Sequence, residues 1–453
     1  MAKHLYIKTF GCQMNERDSE IIEQLLARSG YVLVDGPETA DLVLVNTCSI
    51  RDKAEQKVYS LLGQLAPLKK ENSRLKIGVI GCVAQQEGEK ICKRAPYVDL
   101  VVGTQQIYRI PSMLDRLVGG ETSREIDTDL KSSFTIPAFQ RLLKGQSPSP
   151  APVEFRKFVT IMQGCNNYCS YCVVPSTRGR EISRPVVDIL EEVGILIDQG
   201  VKEITLLGQN VNSYGQTNPV DDHSVSFADL LHAVAGVPGL ERLRFTTSNP
   251  KDLSKELIDC FAEIDILCPH FHLPVQSGSN TILQKMNRKY SRESYLEKVA
   301  ALRMARPDIA LATDIIVGFP GESDDDFSRT MDLLETVRFH GSFSFKYSDR
   351  PNTRSADFPD KVPESVKKER LQRFQARQDQ ISLEWNATYV DTVQEVMVES
   401  TTEGKARGRT ATNHIVHFPD TGGLCPGETV DVQITHAGRH SLQGEMLTTD
   451  VTC

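Results

Sequence analysis

Three thiols stand close together in Gly164-Cys165-Asn166-Asn167-Tyr168-Cys169-Ser170-Tyr171-Cys172, with three residues between the first two and two between the last pair. Thiolates are soft ligands, and runs of cysteine at such spacings are the usual seats of iron–sulfur clusters. A four-iron cluster held wholly by protein takes four cysteines, so a seat of three leaves one iron open to another ligand. Two other readings fit the same residues: a zinc site completed by a distant Cys or His, and thiols that are merely buried. The preceding run, residues 158–162, is apolar and β-prone, which places the loop at the end of a strand.

A second set is spread along the chain. Cys12, Cys48 and Cys82 each close a short apolar run, in Thr9-Phe10-Gly11-Cys12, Asn46-Thr47-Cys48 and Ile80-Gly81-Cys82. Runs 5–10, 42–45, 77–80 and 98–102 alternate with helical stretches 16–29, 52–68 and 85–94, the rhythm of a parallel α/β sheet. The carboxyl ends of parallel strands share one edge, where ligands bind. The three cysteines would therefore gather into a second three-thiolate seat, unless they are unrelated buried thiols. Gly11 and Gly81 would let the backbone turn sharply or approach a bulky ligand. Cys92 lies within a helical stretch and reads as a packing residue.

The elements that position these residues must come from a chain of 453 residues, long enough for about three domains. Composition is that of a folded protein, 40% hydrophobic and 25% charged. The first residues resemble a strand more than a signal peptide, and no apolar run approaches a membrane span. Eleven cysteines without an export signal argue for reduced thiols and metal ligation. The expectation is a cytoplasmic protein with no membrane partner. A net charge of −8 argues weakly against nucleic acid, though an average can conceal a basic stripe.

Residues 121–152 lose periodicity, and Ser147-Pro148-Ser149-Pro150-Ala151-Pro152 reads as a linker. Six β-like runs then alternate with amphipathic helices: 158–162, 203–207, 242–246, 270–273, 311–317 and 342–347. Six such units predict a partial (β/α)6 barrel with its chemistry at the strand carboxyl ends. The cysteine loop follows the first run and belongs to that rim. Polar or glycine-rich tips converge there: Gly208 and Gln209, Ser248, Gln276, and Gly318. Beside an open iron they could seat an amine, a carboxylate and an adenosine. Arg178, Arg180 and Arg184 could clamp a phosphate or carboxylate there, as could Arg350 and Arg354; a solvated basic loop is the bland reading. Residues 364–385 form a helix with Leu371, Phe374, Ile381 and Trp385 on one face.

The tail, residues 388–453, carries five short β-like runs, 392–398, 406–410, 415–418, 429–435 and 441–447, separated by glycines and polar turns. That pattern predicts a small all-β barrel, a shape used for oligonucleotide binding. Lys405, Arg407 and Arg409, spaced by two, would share one face as an RNA-binding stripe.

At this point the residues match a family. The cysteine loop resembles that of radical S-adenosylmethionine enzymes, and the three-part chain resembles the methylthiotransferases within them. Closeness to the branch that acts on isopentenylated tRNA adenosine is carried by Cys165-Asn166-Asn167-Tyr168-Cys169-Ser170-Tyr171-Cys172-Val173-Val174-Pro175, Phe271-His272-Leu273-Pro274-Val275-Gln276-Ser277-Gly278-Ser279 and Val45-Asn46-Thr47-Cys48-Ser49-Ile50-Arg51. Lys405-Ala406-Arg407-Gly408-Arg409-Thr410 and Ser441-Leu442-Gln443-Gly444 resemble TRAM sequences. The resemblance implies a methylthiotransferase N-terminal domain over 1–120, a linker over 121–150, a radical core over 151–385 and a TRAM RNA-binding domain over 388–451.

It further implies two [4Fe-4S] clusters. Cys165, Cys169 and Cys172 would hold the one whose open iron chelates S-adenosylmethionine and cleaves it to a 5′-deoxyadenosyl radical. Cys12, Cys48 and Cys82 would hold an auxiliary cluster that receives a sulfur, and a methyl group from a second S-adenosylmethionine. The radical would activate carbon 2 of an isopentenylated adenosine next to the anticodon, and the methylthio group would transfer there. Implied partners are tRNA, an electron donor such as flavodoxin, and a sulfur or iron–sulfur donor. Sister activities on threonylcarbamoyl-adenosine or on a ribosomal-protein aspartate are the nearest alternatives. A non-enzymatic iron–sulfur regulator that binds RNA is a different class, and it gives no reason for two open-iron seats.

Overall fold

In the computed structural model, residues 2–49, 52–131, 134–138, 154–217, 225–420 and 422–447 are described. The linker expected over 147–152, and Ile50 and Arg51 of the third family stretch, lie outside them.

The first element is a six-stranded parallel sheet: β1 (Lys3–Thr9), β2 (Tyr31–Leu33), β3 (Leu42–Thr47), β4 (Lys76–Gly81), β5 (Leu100–Val102) and β6 (Glu125–Asp127), in the order β2-β1-β3-β4-β5-β6. The central strands are apolar on both faces because helices cover both. Leu42 and Leu44 join one core cluster, and Val43 and Val45 the other. Edge strands β2 and β6 were not expected from sequence. The helix expected over 85–94 is two, Cys82–Glu87 and Glu89–Arg94, broken at Gly88 where φ is 49°. Cys92 packs in the core of this unit, as expected.

The middle of the chain holds the six expected strands: β7 (Arg156–Thr160), β10 (Glu203–Leu207), β11 (Arg242–Phe245), β12 (His270–His272), β13 (Ala310–Val317) and β14 (Gly341–Lys346). A short antiparallel pair, β8 (Met162–Gln163) and β9 (Ile182–Ser183), follows β7. The strands form two three-stranded parallel sheets, β7-β10-β11 and β12-β13-β14. Leu243 links them by a bridge to Leu267, just before β12, giving an open barrel. Serine starts four of the crossover helices. Ser226, Ser254, Ser291 and Ser323 each accept a backbone N–H two or three residues into the helix, and Ser226 and Ser323 complete capping boxes with Asp229 and Asp326.

The tail is a closed barrel of β15 (Val393–Thr402), β16 (Lys405–Thr410), β17 (Ile415–Pro419), β18 (Thr429–Ala437) and β19 (Leu442–Met446), in the order β15-β16-β17-β19-β18. It is seated on the central barrel. Leu243 and Phe245 pack toward the helices, so Arg242 and Arg244, alternating with them, face the barrel interior. There Arg242 donates to the Arg409 carbonyl at 2.8 Å, and Arg244 to the carbonyls of Thr410 at 2.9 Å and Ala411 at 3.0 Å. Asn413 and His270 share a hydrogen bond at 3.4 Å. The turn between β16 and β17 thus stoppers the amino-terminal end of the barrel. The helix Glu364–Ala387 leads into this tail; Phe374 and Ile381 are fully buried and Trp385 stacks on His340 at 4.3 Å between ring centres.

Candidate metal centres

Cys12, Cys48 and Cys82 stand at the carboxyl ends of β1, β3 and β4, which are neighbours in the sheet. Cys12 caps the helix Gln13–Ala27 and Cys82 opens the helix Cys82–Glu87, so backbone N–H groups point at the site. Polar bonds lock the three strand ends together. Asn15 Nδ2 donates to the carbonyls of Phe10 at 2.9 Å and Thr47 at 2.8 Å, and Thr47 Oγ1 donates to the Ile80 carbonyl at 2.5 Å. Both glycines are required where they stand. Gly11 has φ 125°, and a Cβ there would sit 2.4 Å from Cys48 Cβ; Gly81 has φ 87°, and its Cβ would sit 2.6 Å from the Thr47 carbonyl.

A hydrogen bond with Cys48 holds the Cys12 thiol down at about 6, against burial and with help from the Arg178 charge and the N–H groups of Asn15 and Met14. Burial pushes Cys82 up, against Arg178. That arginine comes from the central unit: its Nη2 donates to Asn15 Oδ1 at 2.9 Å and Asp18 Oδ2 at 2.7 Å. Asp18 and Asn15 were not singled out from sequence; the signal was helical spacing, Asn15 three residues after Cys12 and Asp18 three after Asn15.

The second set lies on a loop whose two ends are paired as β8 and β9, with Met162 opposite Ser183. The Cys165 N–H donates to the Gly179 carbonyl at 3.2 Å, and a Cβ on Gly164 would stand 2.1 Å from the Arg180 carbonyl. Ser170 fixes the middle of the loop through N–H to the Met286 carbonyl at 3.0 Å and Oγ to that of Lys285 at 2.9 Å. Asn287 Nδ2 donates to the Tyr168 carbonyl at 2.9 Å. Arg288, also missed in the sequence, donates to Cys169 Sγ at 3.3 Å and to the Pro274 carbonyl at 3.1 Å. Burial pushes Cys165 up to about 11 and Cys172 up to about 12, the latter helped by Cys169.

The donor sets fit iron–sulfur clusters. Among the described residues no three His, Cys, Asp or Glu side chains converge as the ligands of one metal ion must. A cluster sets each thiolate on a different iron and needs no such convergence. Buried polar atoms without a partner collect at these same edges: Ser49 Oγ and Arg178 Nη1 at the first, Gln163 Nε2, Asn210 Oδ1 and Ser248 Oγ at the second. Such atoms are costly to leave unmet and mark where a ligand's polar groups fit.

The other sequence candidates divide. Gln209 Oε1 accepts the Gly164 N–H at 2.6 Å, so it holds the loop. Gly208 is forced by Met162, whose Cγ would be 2.4 Å from a Cβ, and Gly318 by Lys367, at 2.3 Å. Gln276 is buried with φ 74° and bridges to Ile315. Arg180 and Arg354 are exposed. Arg178 and Arg184 are no rim clamps: both are buried, the first on Asp18, the second on Glu192 at 2.6 Å and the Thr160 carbonyl at 2.6 Å. Their local sequence is that of a basic loop, and only the docked N-terminal unit and the following helix supply the buried carboxylates.

Lys405, Arg407 and Arg409 do share the outer face of β16, with Ala406, Gly408 and Thr410 turned inward. Arg407 and Arg409 both pair with Glu399, at 3.2 Å and 2.9 Å, while Lys405 is exposed. A cleft of about 640 Å³ between the first unit, β7 and the tail is lined by Glu16, Glu20, Glu23, Glu154 and Glu399 together with Arg156 and Lys157. No helix among the described residues is long and apolar enough to cross a membrane.

Three family matches follow the three parts. Residues 4–103 match the family described as Uncharacterized protein family UPF0004, residues 159–334 the Radical SAM superfamily, and residues 387–447 the TRAM domain. Among solved structures, the radical S-adenosylmethionine methyltransferase TsrM from Kitasatospora setae, with cobalamin and a [4Fe-4S] cluster bound, aligns with a TM-score of 0.56 at 14% identity. The alignment covers 79% of this chain and 74% of that one. At that identity the likeness shows the fold. Curated relatives are much closer. A tRNA-2-methylthio-N(6)-dimethylallyladenosine synthase of Desulfotalea psychrophila is 57% identical, over 98% of this chain and 99% of its own. Those of Syntrophotalea carbinolica and Geobacter metallireducens are 47% and 49% identical, over 98% of this chain and 99% and 98% of theirs. The chain belongs to the family of tRNA-2-methylthio-N(6)-dimethylallyladenosine synthases.

Proposed function

We propose that this chain adds a methylthio group to carbon 2 of N6-dimethylallyladenosine (isopentenyladenosine) next to the anticodon of tRNA, as a radical S-adenosylmethionine enzyme. The observation that carries the reading is two three-cysteine edges in one chain, in a protein 57% identical to a named synthase along its full length. Cys165, Cys169 and Cys172 would hold one [4Fe-4S] cluster, and Cys12, Cys48 and Cys82 an auxiliary one. When bound, the first with S-adenosylmethionine supplies a carbon radical, and the second supplies the sulfur to be methylated by another S-adenosylmethionine.

The chain's own residues position and insulate. β8 and β9 pin the loop, Gln209 fixes its first turn, and Arg288 orients Cys169. Ser248 Oγ, with Gln163 and Asn210, offers unmet polar atoms to the cofactor's amine, carboxylate or hydroxyls. Gly208 and Gln276 supply backbone at the same rim, Gly318 lies there under the Lys367 stem, and Arg180 adds a charge at the margin. The stoppered barrel keeps bulk water from a radical that abstracts indiscriminately. Lys405, with Arg407 and Arg409, would meet the tRNA backbone.

The working division is 1–120, 151–385 and 388–451 around a linker at 121–150, the start of which, β6 (Glu125–Asp127), completes the first unit's sheet and so extends that unit beyond residue 120. Electrons would come from a donor such as flavodoxin and sulfur from a sulfur or iron–sulfur donor, in the cytoplasm. Anaerobically reconstituted protein, given S-adenosylmethionine, a reductant and a dimethylallylated anticodon stem-loop, is expected to yield the methylthio product by mass spectrometry. An unmodified stem-loop, or equal activity on threonylcarbamoyl-adenosine, overturns the reading.

A further inference from the structure

Three consecutive residues tie the two cysteine sites together. The Thr177 carbonyl accepts a hydrogen bond from Thr104 Oγ1, on the N-terminal unit, at 2.6 Å. The Gly179 carbonyl accepts the N–H of Cys165 at 3.2 Å. Between them Arg178, only 2% exposed, runs out of the central unit and into the edge where Cys12, Cys48 and Cys82 gather. Nη2 is spent on Asn15 and Asp18, while Nη1 is buried beside the Cys82 thiol and has no oxygen or nitrogen acceptor among the described residues.

A buried guanidinium needs an anion, and an unused N–H on it needs an acceptor. Among the described residues, Asp18 provides its carboxylate partner, at 2.7 Å. The remaining N–H sits beside Cys12 and Cys82, where thiolates and the sulfurs of a bound cluster would be both negative and able to accept. Hydrogen bonds to cluster sulfurs and nearby charge are among the terms that set a cluster's reduction potential. A positive charge favours the reduced, more negative state.

We propose that Arg178 tunes the auxiliary site from the other half of the chain: its free N–H and its charge make the cluster on Cys12, Cys48 and Cys82 easier to reduce. This rests on reading that triad as a cluster seat. Asp18 acts in the opposite sense, since it partly cancels the same charge. Because Arg178 is next to the residue that grips Cys165, the site that starts the chemistry also positions the residue that sets the potential of the other.

The test uses the full chain with Cys165, Cys169 and Cys172 all changed to Ala, so that only the auxiliary site loads. Iron content is measured first, and then the midpoint potential by redox titration followed by electron paramagnetic resonance. Expected is about four irons per chain in this background. Arg178→Gln should move the midpoint negative by at least a tenfold change in the reduced-to-oxidised ratio, about 59 mV for one electron. Asp18→Asn should move it positive. If the background binds no iron, the cluster reading of the triad fails. If iron is bound and either variant that keeps it shows an unchanged midpoint, the tuning role is overturned. If both variants lose iron that the background holds, Arg178 and Asp18 are structural and the proposal is likewise overturned.

Discussion

In the loop site, all three cysteines fall between residues 165 and 172, and most of the bonds that shape them come from the two ends of the same loop and from one neighbouring helix end, with Gln209 at the tip of β10 and Ser355 adding one each. In the triad site the cysteines come from three strands, and a side chain from the other unit, Arg178, completes the edge. One site is written locally, and the other exists only once a sheet has formed and a second unit has docked. The interface that docks it is itself buried and charged: Glu192 receives both Arg17 and Arg184. Breaking such a pair on one side leaves an uncompensated charge, so the relative placement of the two sites is held sharply. The lesson is that a radical source can be a portable loop, whereas a site that must stay at a fixed distance from it has to be part of the scaffold.

The strongest test of the contrast removes each set of ligands. Changing Cys165, Cys169 and Cys172 to Ala should abolish both 5′-deoxyadenosine release and methylthiolation. Changing Cys12, Cys48 and Cys82 to Ala should abolish methylthiolation alone, with the iron count halved in each case. Triad-free protein that still methylthiolates would collapse the distinction between the two sites.

Glycine substitutions sharpen it at the level of the backbone. Gly11→Ala and Gly164→Ala each force a side chain onto positive φ and into a neighbour, at about 1–3 kcal/mol for the backbone strain before any clash. The first should deplete iron from the triad alone and the second from the loop alone, read by Mössbauer spectra of each variant.

Arg288→Gln should leave the triad's iron unchanged and slow S-adenosylmethionine cleavage about 10–100-fold, the usual effect of losing a group that orients a metal ligand. Equal slowing from a variant at an exposed position such as Arg354 would deny Arg288 that role.

Two asparagines give the smallest and most discriminating pair. Asn15→Ala removes bonds to two strand ends in a buried setting and should lower stability by about 1–3 kcal/mol, whereas Asn287→Gly, which tolerates the φ of 58° there and removes the exposed bond to Tyr168, should lower it by about 1 kcal/mol. Chemical denaturation of the iron-free proteins decides, and equal effects would contradict the view that the triad depends more on assembly.

The repeating strands and the cysteines at their ends were legible because both are local patterns. Val43, Leu44 and Val45 announce a strand covered on both faces, and Cys48 follows two residues after Asn46. The loop's three thiols needed no more than their spacing. What escaped was set by partners distant in sequence. β2 and β6, of three residues each, are defined by the strand beside them more than by their own composition. Arg178 and Arg184 look like a solvated basic loop until Asp18 and Glu192 arrive from elsewhere. Gly318 reads as room for a cofactor, yet the Lys367 stem already fills that room from the helix Glu364–Ala387. The stripe on β16 was placed on the right face, but Glu399 of the adjacent strand takes up two of its charges.

The turn between β16 and β17 carries a consequence for modularity. In sequence the tail is a self-contained cassette, with its own match and its own closed sheet. In energy it is not detachable. Cutting it away opens that end of the barrel to water and takes from Arg242 and Arg244 the carbonyls of residues 409, 410 and 411 that they now hold. A tail transplanted from another protein would keep the catalytic chamber sealed only if it brought carbonyls to the same three positions, 409, 410 and 411. The part of the chain that reads as an RNA grip is thereby also the floor of the reaction vessel, and the two duties have to evolve together.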